Sequence, residues 1–231
     1  MNKKVNIPNC VGIIMDGNRR WAKAKGISAL KGHYAGAEKL KEVAKWTKDI
    51  GVKHLIVYAF STENWNRSEE EVSYLLNLLD QFIKKELEYF NKEGGILHCV
   101  GDLSRFSPGL QKILKEAEEK TSKNADLHIY LALNYSGRQE ILSAIKKIIA
   151  LNPKLEDVTE EYFGQHLQTY PMPDPDIIIR TSGEMRLSGF LTWQSVYSEL
   201  FFTKTFWPDF SKEEFWQILE EYGERERRMG K

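Results

Sequence analysis

Five short apolar runs recur along the chain, each rich in β-branched or aromatic residues: CVGIIM, HLIVYAF, ILHCVG, LHIYLALNY and DIIIRT. Runs of this length bounded by polar turns predict buried strands. Between them the apolar positions change period. From Ser68 to Phe90, Val72, Leu75, Leu76, Leu79, Phe82, Ile83, Leu87 and Phe90 recur at three- and four-residue spacing, with charged residues on the other faces, which predicts an amphipathic helix. Ser68 ahead of Glu69, Glu70 and Glu71 supplies a cap and an acidic first turn. Similar patterns predict helices over 34–50, 108–122, 138–151, 160–169 and 212–228. Strands alternating with helices imply an α/β fold whose central sheet is mainly parallel, flanked by helices and joined by right-handed crossovers. No repeat, low-complexity tract or linker interrupts the pattern, so residues 1–231 read as a single domain.

Composition narrows what such a domain does. Lys+Arg and Asp+Glu are each 33, a formal net charge of zero, which argues against non-specific nucleic-acid binding. Cys10 and Cys99 both fall in strand-like runs, where free thiols are expected rather than a disulfide or metal site. MNKKVNIPNC holds no long apolar segment, and no later run approaches a bilayer span. A cytoplasmic protein is the expectation.

The candidate chemistry lies in three loops, each after a predicted strand, where open α/β sheets bind ligands. In the first, Asp16-Gly17-Asn18-Arg19-Arg20-Trp21 runs on to Lys31-Gly32-His33. Gly17 permits a turn with exposed N–H groups, and Arg20 and His33 add donors for a phosphate. An aspartate among phosphate-binding groups makes sense if a hard cation bridges it to the ligand, and Mg²⁺ is the usual choice. The plain alternative is an Asp-Gly turn with solvated arginines. In the second loop, Asn64 and Arg67 stand beside Phe60 and Trp65, which suits a ligand with an anionic head and a hydrocarbon body. An ordinary polar loop is the alternative there. In the third, Arg180 and Arg186 enclose hydroxyl residues and precede Ser188, a candidate second anion site. Surface charge beside an edge strand is the alternative. Glu199, in LTWQSVYSEL, is either an exposed helix residue or a carboxylate aimed into a site, among Trp193, Val196, Tyr197 and Leu200 read as a packed face.

Taken in order, MDGNRRWA, GHYAG, YAFSTENWNR, Gly101–Asp102, Asn134–Tyr135, RTSGEMRLSGFLTWQ, SELFF and FWPDF resemble the cis-prenyltransferases, the undecaprenyl and dehydrodolichyl diphosphate synthases. The resemblance is colinear from Cys10 to Gly230. It implies a Mg²⁺-dependent transferase that condenses isopentenyl diphosphate with an allylic diphosphate, farnesyl or geranylgeranyl, into a long-chain cis-polyprenyl diphosphate for lipid glycan carriers. Residue by residue it implies Asp16 and Asn64 as catalytic, with Asp16 and Glu199 sharing the metal. For the allylic diphosphate and its surroundings it implies Gly17, Asn18, Arg19, Arg20, Trp21, His33, Phe60, Trp65 and Arg67. For isopentenyl diphosphate it implies Arg180, Arg186, Ser188, Arg228 and Gly230.

The same resemblance implies an apolar tunnel for the product between the helices at 34–50 and 68–90, with Leu127 near its closed end. It also implies a homodimer in which each Arg228-Met229-Gly230 tail enters the partner's site, and transient contact with the inner face of a membrane as product leaves. The sequence departs from many bacterial members at Arg19 and Ser182, where they carry glycine, and at Ala29, where they carry an arginine for the allylic diphosphate; Lys31 or Arg19 are candidates to replace it. A non-catalytic partner subunit and a short-chain synthase remain as alternatives, although the aspartate loop such subunits typically lack is present.

Overall fold

The computed structural model describes residues 6–225. Six strands form one sheet: β1 (Cys10–Ile14), β2 (His54–Ser61), β3 (Gly95–Val100), β4 (Leu127–Tyr135), β5 (Ile177–Arg180) and β6 (Glu199–Phe202). Their order is β3-β4-β2-β1-β5-β6 and every pairing is parallel, so the sheet is wholly rather than mainly parallel. Among the described residues seven α-helices accompany it: α1 (Asn18–Ala24), α2 (Ala29–Asp49), α3 (Glu69–Lys92), α4 (Pro108–Thr121), α5 (Gly137–Leu151), α6 (Glu160–Gly164) and α7 (Lys212–Glu224).

Strand alternation divides the core between the two faces of the sheet. Val11, Ile13, Leu55, Val57, Ile129, Leu131, Leu133, Ile177 and Ile179 join residues of α2, α3, α4 and α7 on one face. Cys10, Ile14, Ile56, Tyr130, Ala132 and Ile178 meet Met172, Phe190 and Leu191 on the other. Burial on both faces is why these strands read as nearly continuous apolar runs. Serine starts the major helices: Ser28, Ser68, Ser107 and Ser211 each accept a hydrogen bond from the backbone N–H three residues on. Both cysteines are free thiols. No helix among the described residues is long and apolar enough to cross a membrane.

Several sequence expectations need correction. α2 begins at Ala29, five residues early, because Ser28 caps it. The seven-residue α1 precedes it, too short for a periodic pattern to emerge. α6 stops at Gly164 and continues only as turns, and α7 ends at Glu224. The stretch before Glu199 is not helical. Gly189 and Leu191 hold φ of +79° and +48°, which breaks any helix there, and Glu199 opens β6 instead. Val196 and Tyr197 are 73% and 69% exposed, so the three- and four-residue spacing did not mark a packed face.

Candidate active site

The chain leaves β1 toward β2 on one side, while β5 packs on β1's other side. That reversal opens a crevice beyond the carboxyl ends of the strands, and the loops after β1, β2, β4 and β5 all border it. Two polar clefts result. The central one, about 620 Å³, is lined by Asp16, Asn18, His33, Tyr58, Ser61, Asn64, Arg67, Ser136, Arg138, Arg180 and Ser188 among others. The second, about 630 Å³, is lined by Asp16, Gly17, Asn18, Arg19, Arg20, Lys23, Ala29, His33 and Arg67. Asp16, Asn18, His33 and Arg67 belong to both.

The turn at the end of β1 depends on glycine. Gly17 holds φ +108°, and a Cβ there would lie 2.8 Å from Ser182 Cβ and 2.9 Å from Phe206 Cδ1. Asn18 then starts α1 with its side-chain Oδ1 buried and accepting no hydrogen bond. The glycines of the GHYAG motif let α2 pack this closely. A Cβ on Gly32 would stand 2.2 Å from the Asn18 carbonyl oxygen, and one on Gly36 2.4 Å from Asn18 Oδ1. Asp16 Oδ2 accepts from Arg180 Nη2 at 2.9 Å and faces Arg20 Nη2 at 3.3 Å. Arg20 also donates to Ser182 Oγ and pairs with Glu184 at 3.1 Å.

Around the second cleft, His33 Nε2 meets Glu71 Oε1 at 3.2 Å and Arg67 Nη1 donates to the same oxygen at 2.8 Å. Burial lowers the His33 pKa and the bond to Glu71 only partly offsets it, so the ring is neutral at pH 7. Burial pushes the Glu71 carboxyl up, but Arg67, His33 and Arg19 outweigh it and hold Glu71 below the usual range. Asn64 lines the central cleft while its Oδ1 caps Ser61 N at 3.0 Å.

On the β5 side, Arg180 is 5% exposed. Its Nη1 donates to Ser188 Oγ at 2.8 Å and to the Arg186 carbonyl, while its buried Nε has no acceptor. Ser182 and Ser188 take φ of +79° and +50°, backbone strain stored where the loop bends around the guanidinium. Where the resemblance expected arginine, Ala29 lies in the second cleft with Arg19 and Lys23 nearby, and Lys31 is not among its lining residues.

Beneath both clefts an apolar cavity of about 110 Å³ runs between α2, α3 and the sheet, lined by Ala37, Leu40, Phe60, Leu79, Phe82 and Leu131 among others. Met15, Asn18 and His33 border this cavity and both clefts. Farther down the same helices, a cavity of about 20 Å³ is bordered by Ala44, Phe90, Leu127 and Ile129.

Several residues singled out from the sequence stand elsewhere. Phe60 lines the apolar cavity rather than either polar cleft. Trp65 donates to Asn134 Oδ1 at 2.8 Å and packs on Phe60 and Phe106, and Trp21 donates to Asp209 at 2.7 Å; neither lines a cleft. Arg186 is exposed and paired with Glu184 at 2.5 Å. Glu199 is the clearest correction. It sits level with Ile177 at the start of β6, whereas Asp16 lies past Ile14, which is level with Arg180 and Phe202. Three strand residues, roughly 10 Å, separate those levels, and Glu199 is paired with Arg225 at 2.6 Å. One chain does not bring Glu199 to Asp16. Arg228 and Gly230 lie outside the described residues. Sequence reasoning missed Tyr58, Lys23, Ser136 and Arg138. NYSGR could have pointed to the last two, since it joins a strand to a helix as the other site loops do.

A family model described as putative undecaprenyl diphosphate synthase matches residues 14–230. The chain belongs to the cis-prenyltransferase family. An isoprenyl transferase of Thermotoga maritima is 46% identical over 98% of both chains. A ditrans,polycis-undecaprenyl-diphosphate synthase of Micrococcus luteus, (2E,6E)-farnesyl-diphosphate specific, is 43% identical over 99% of this chain and 95% of that one. Among solved structures, lavandulyl diphosphate synthase from Lavandula x intermedia, in complex with dimethylallyl diphosphate, superposes with a TM-score of 0.94 at 34% identity, covering 97% of this chain and 99% of that one. A probable undecaprenyl diphosphate synthase from Campylobacter jejuni gives 0.82 at 32%, covering 98% of this chain and 100% of that one. This cis-prenyltransferase is accordingly an isoprenyl transferase, an enzyme that makes cis-prenyl diphosphates.

The donor set fits a magnesium ion. Among the described residues no three His, Cys, Asp or Glu side chains converge as a protein-only cage. Asp16 instead offers one carboxylate on the wall shared by the two polar clefts. That suits an ion that takes one or two carboxylates and completes its shell with phosphate oxygens and water.

Proposed function

We propose that the enzyme condenses isopentenyl diphosphate with an allylic diphosphate, farnesyl diphosphate as primer, and repeats the step to a long cis-polyprenyl diphosphate. The observation that carries this reading is one carboxylate, Asp16, between two cationic clefts above an apolar cavity. The second cleft, with Gly17, Arg19, Arg20, His33 and Arg67, takes the allylic diphosphate and stabilises the charge that develops as it departs. Arg180 and Ser188 hold isopentenyl diphosphate in the central cleft, presenting its alkene to the allylic carbon. Asn64 lines the same central cleft and is placed to orient isopentenyl diphosphate there. Asp16 would hold Mg²⁺, which when bound would supply positive charge to the diphosphate that departs. The hydrocarbon grows into the cavity at Leu40, Phe60 and Phe82.

The reading extends to a homodimer. Glu199, Arg228 and Gly230 then serve the partner's site rather than their own, which accounts for Glu199 standing at the wrong level to share a metal with its own Asp16. Exposed Val196 and Tyr197 beside the edge strand β6 support an interface there. The test is incubation with labelled isopentenyl diphosphate, Mg²⁺ and C10, C15 or C20 allylic primers, followed by chromatography of the products. Long cis products from the C15 primer are expected. Label that stays in isopentenyl diphosphate with every primer overturns the reading.

A further inference from the structure

Glu71 occupies the third position of α3, where a carboxylate after a serine cap ordinarily folds back onto the cap's own N–H. Ser68 does accept from Glu71 N, at 3.3 Å, but the Glu71 carboxylate turns elsewhere. Oε1 accepts from Arg67 at 2.8 Å and meets His33 at 3.2 Å, while Oε2 faces Arg19 Nη1 at 3.8 Å. These three partners come from α1, α2 and the loop before α3. All three line the second cleft, and Glu71 does not. Its side chain is 13% exposed, so it stands behind the cationic wall rather than in it.

A negative charge behind an anion site repels the anion, and less screening under partial burial strengthens the repulsion. Its placement therefore calls for an offsetting benefit, and geometry supplies one. Arginine carries much side-chain entropy, and a shared acceptor fixes the direction of Arg67. The ionised Glu71 also requires His33 Nε2 to carry the proton, which sets the tautomer of a ring bordering all three cavities. We propose that Glu71 is the positioning residue of the allylic diphosphate cleft, aiming His33, Arg67 and Arg19 at the leaving group. The inference rests on the reading above, which gives this cleft to the allylic substrate.

The two effects have opposite signs, so one variant separates them. Glu71→Gln removes the charge with little change of shape. If positioning dominates, KM for farnesyl diphosphate rises about tenfold, the loss of one well-aimed charge-assisted hydrogen bond. KM for isopentenyl diphosphate rises clearly less, about threefold at most, because His33 and Arg67 border both clefts whereas Arg180 and Ser188, assigned to that substrate, make no contact with Glu71. Arg67→Met combined with Glu71→Gln should cost no more than Arg67→Met together with the small His33 contribution, because the two act as a unit. A lower or unchanged KM for farnesyl diphosphate overturns the proposal, as does an equal rise in both constants, which marks a merely structural ion pair. Should Glu71→Gln fail to fold, Glu71→Asp, charged but one methylene short, is judged on the same two constants. No product from the wild type overturns the parent reading and this one with it; product with unshifted constants overturns this one alone.

Discussion

At the scale of single residues, Asp16 is where two opposing demands meet. It pairs with Arg180 and approaches Arg20, the cations proposed to bind phosphate, so the carboxylate offsets part of the positive charge lining the two clefts. Asp16→Ala is expected to cut kcat by about a thousandfold or more, by analogy with removing preorganised charge at a developing anion. Two cations left facing each other cost some stability as well, so the rate is compared at matched folded fraction, by circular dichroism. Turnover within tenfold of wild type in the folded variant refutes the role. That Asp16, Asn18, Arg20, Arg67, Arg180 and Ser188 are candidates was legible because each ends a strand or lies in a segment that follows one, and His33 because the GHYAG motif sets it in the first turns of a helix. Trp21 and Trp65 misled for a physical reason. An indole in a ligand-binding loop has both a polar edge and an apolar face, and here both are spent on the fold: N–H groups on Asp209 and Asn134, and the Trp65 ring on Phe60 and Phe106. Glu71 was read only as part of an acidic first turn, since no sequence pattern says which way a carboxylate points.

At the scale of elements, α2, α3 and β4 form the walls of the apolar cavity. A void of about 150 Å³ just admits benzene, so the 110 Å³ present holds only the first carbons of a long product. The walls must part as the chain grows. Along all three elements the lower cavity at Leu127 follows the upper one in register, α2 from Leu40 to Ala44, α3 from Phe82 to Phe90 and β4 from Leu131 to Leu127. Leu127→Ala, which enlarges that lower end, is expected to shift the products toward longer chains on thin-layer chromatography; an unchanged ladder puts the floor elsewhere. The opposite face of the sheet carries a pH dependence. His54, His98 and His128 lie side by side on β2, β3 and β4, with His98 Nε2 and His128 Nδ1 2.9 Å apart. Burial, then His128 and His54, push the His98 pKa down to about 4, and burial lowers those of His54 and His128 too. The unfolded chain therefore binds more protons between its ordinary histidine pKa, about 6.5, and the folded value. Stability is lost as pH drops from about 6.5 towards 4 and levels off below that window. Discounted for partial exposure, His98 contributes about 1 kcal/mol of this loss by pH 5, a Tm decrease of about 2–4 °C. Melts of wild type and His98→Gln from pH 7.5 to 4.5 check it, since the variant should slope less; parallel curves refute the assignment.

At the scale of the whole molecule, the alternation of strands and helices was readable because strands buried on both faces give continuous apolar runs and capped amphipathic helices give a clear period. The short elements escaped. α1 is under two turns, and β6 has four residues, with Glu199 partly exposed and Leu200 37% exposed, so neither carries enough period to detect. The position of Glu199 poses a question that the proposed second chain would answer. In one chain it is paired with Arg225, at the end of the sheet away from Asp16. Beside it the edge strand, Val196 and Tyr197 remain uncovered. If two copies meet there about a two-fold axis, each site combines Asp16 of one chain with the carboxyl-terminal Arg228-Met229-Gly230 of the other. Deleting residues 227–231 should then cut activity strongly while sedimentation still shows a dimer, because the tail touches ligand more than interface. Mixing is the sharper experiment. Neither the truncated homodimer nor the Asp16→Ala homodimer has a complete site. After the two are dissociated and reassociated together, half of the sites in each mixed dimer regain both an intact Asp16 and an intact tail. Activity is expected to rise well above the mean of the two parents, toward about a quarter of wild type, since random pairing makes half the dimers mixed. A mixture no more active than its components means that each chain completes its own site, and that Glu199 is committed to Arg225 and the fold alone.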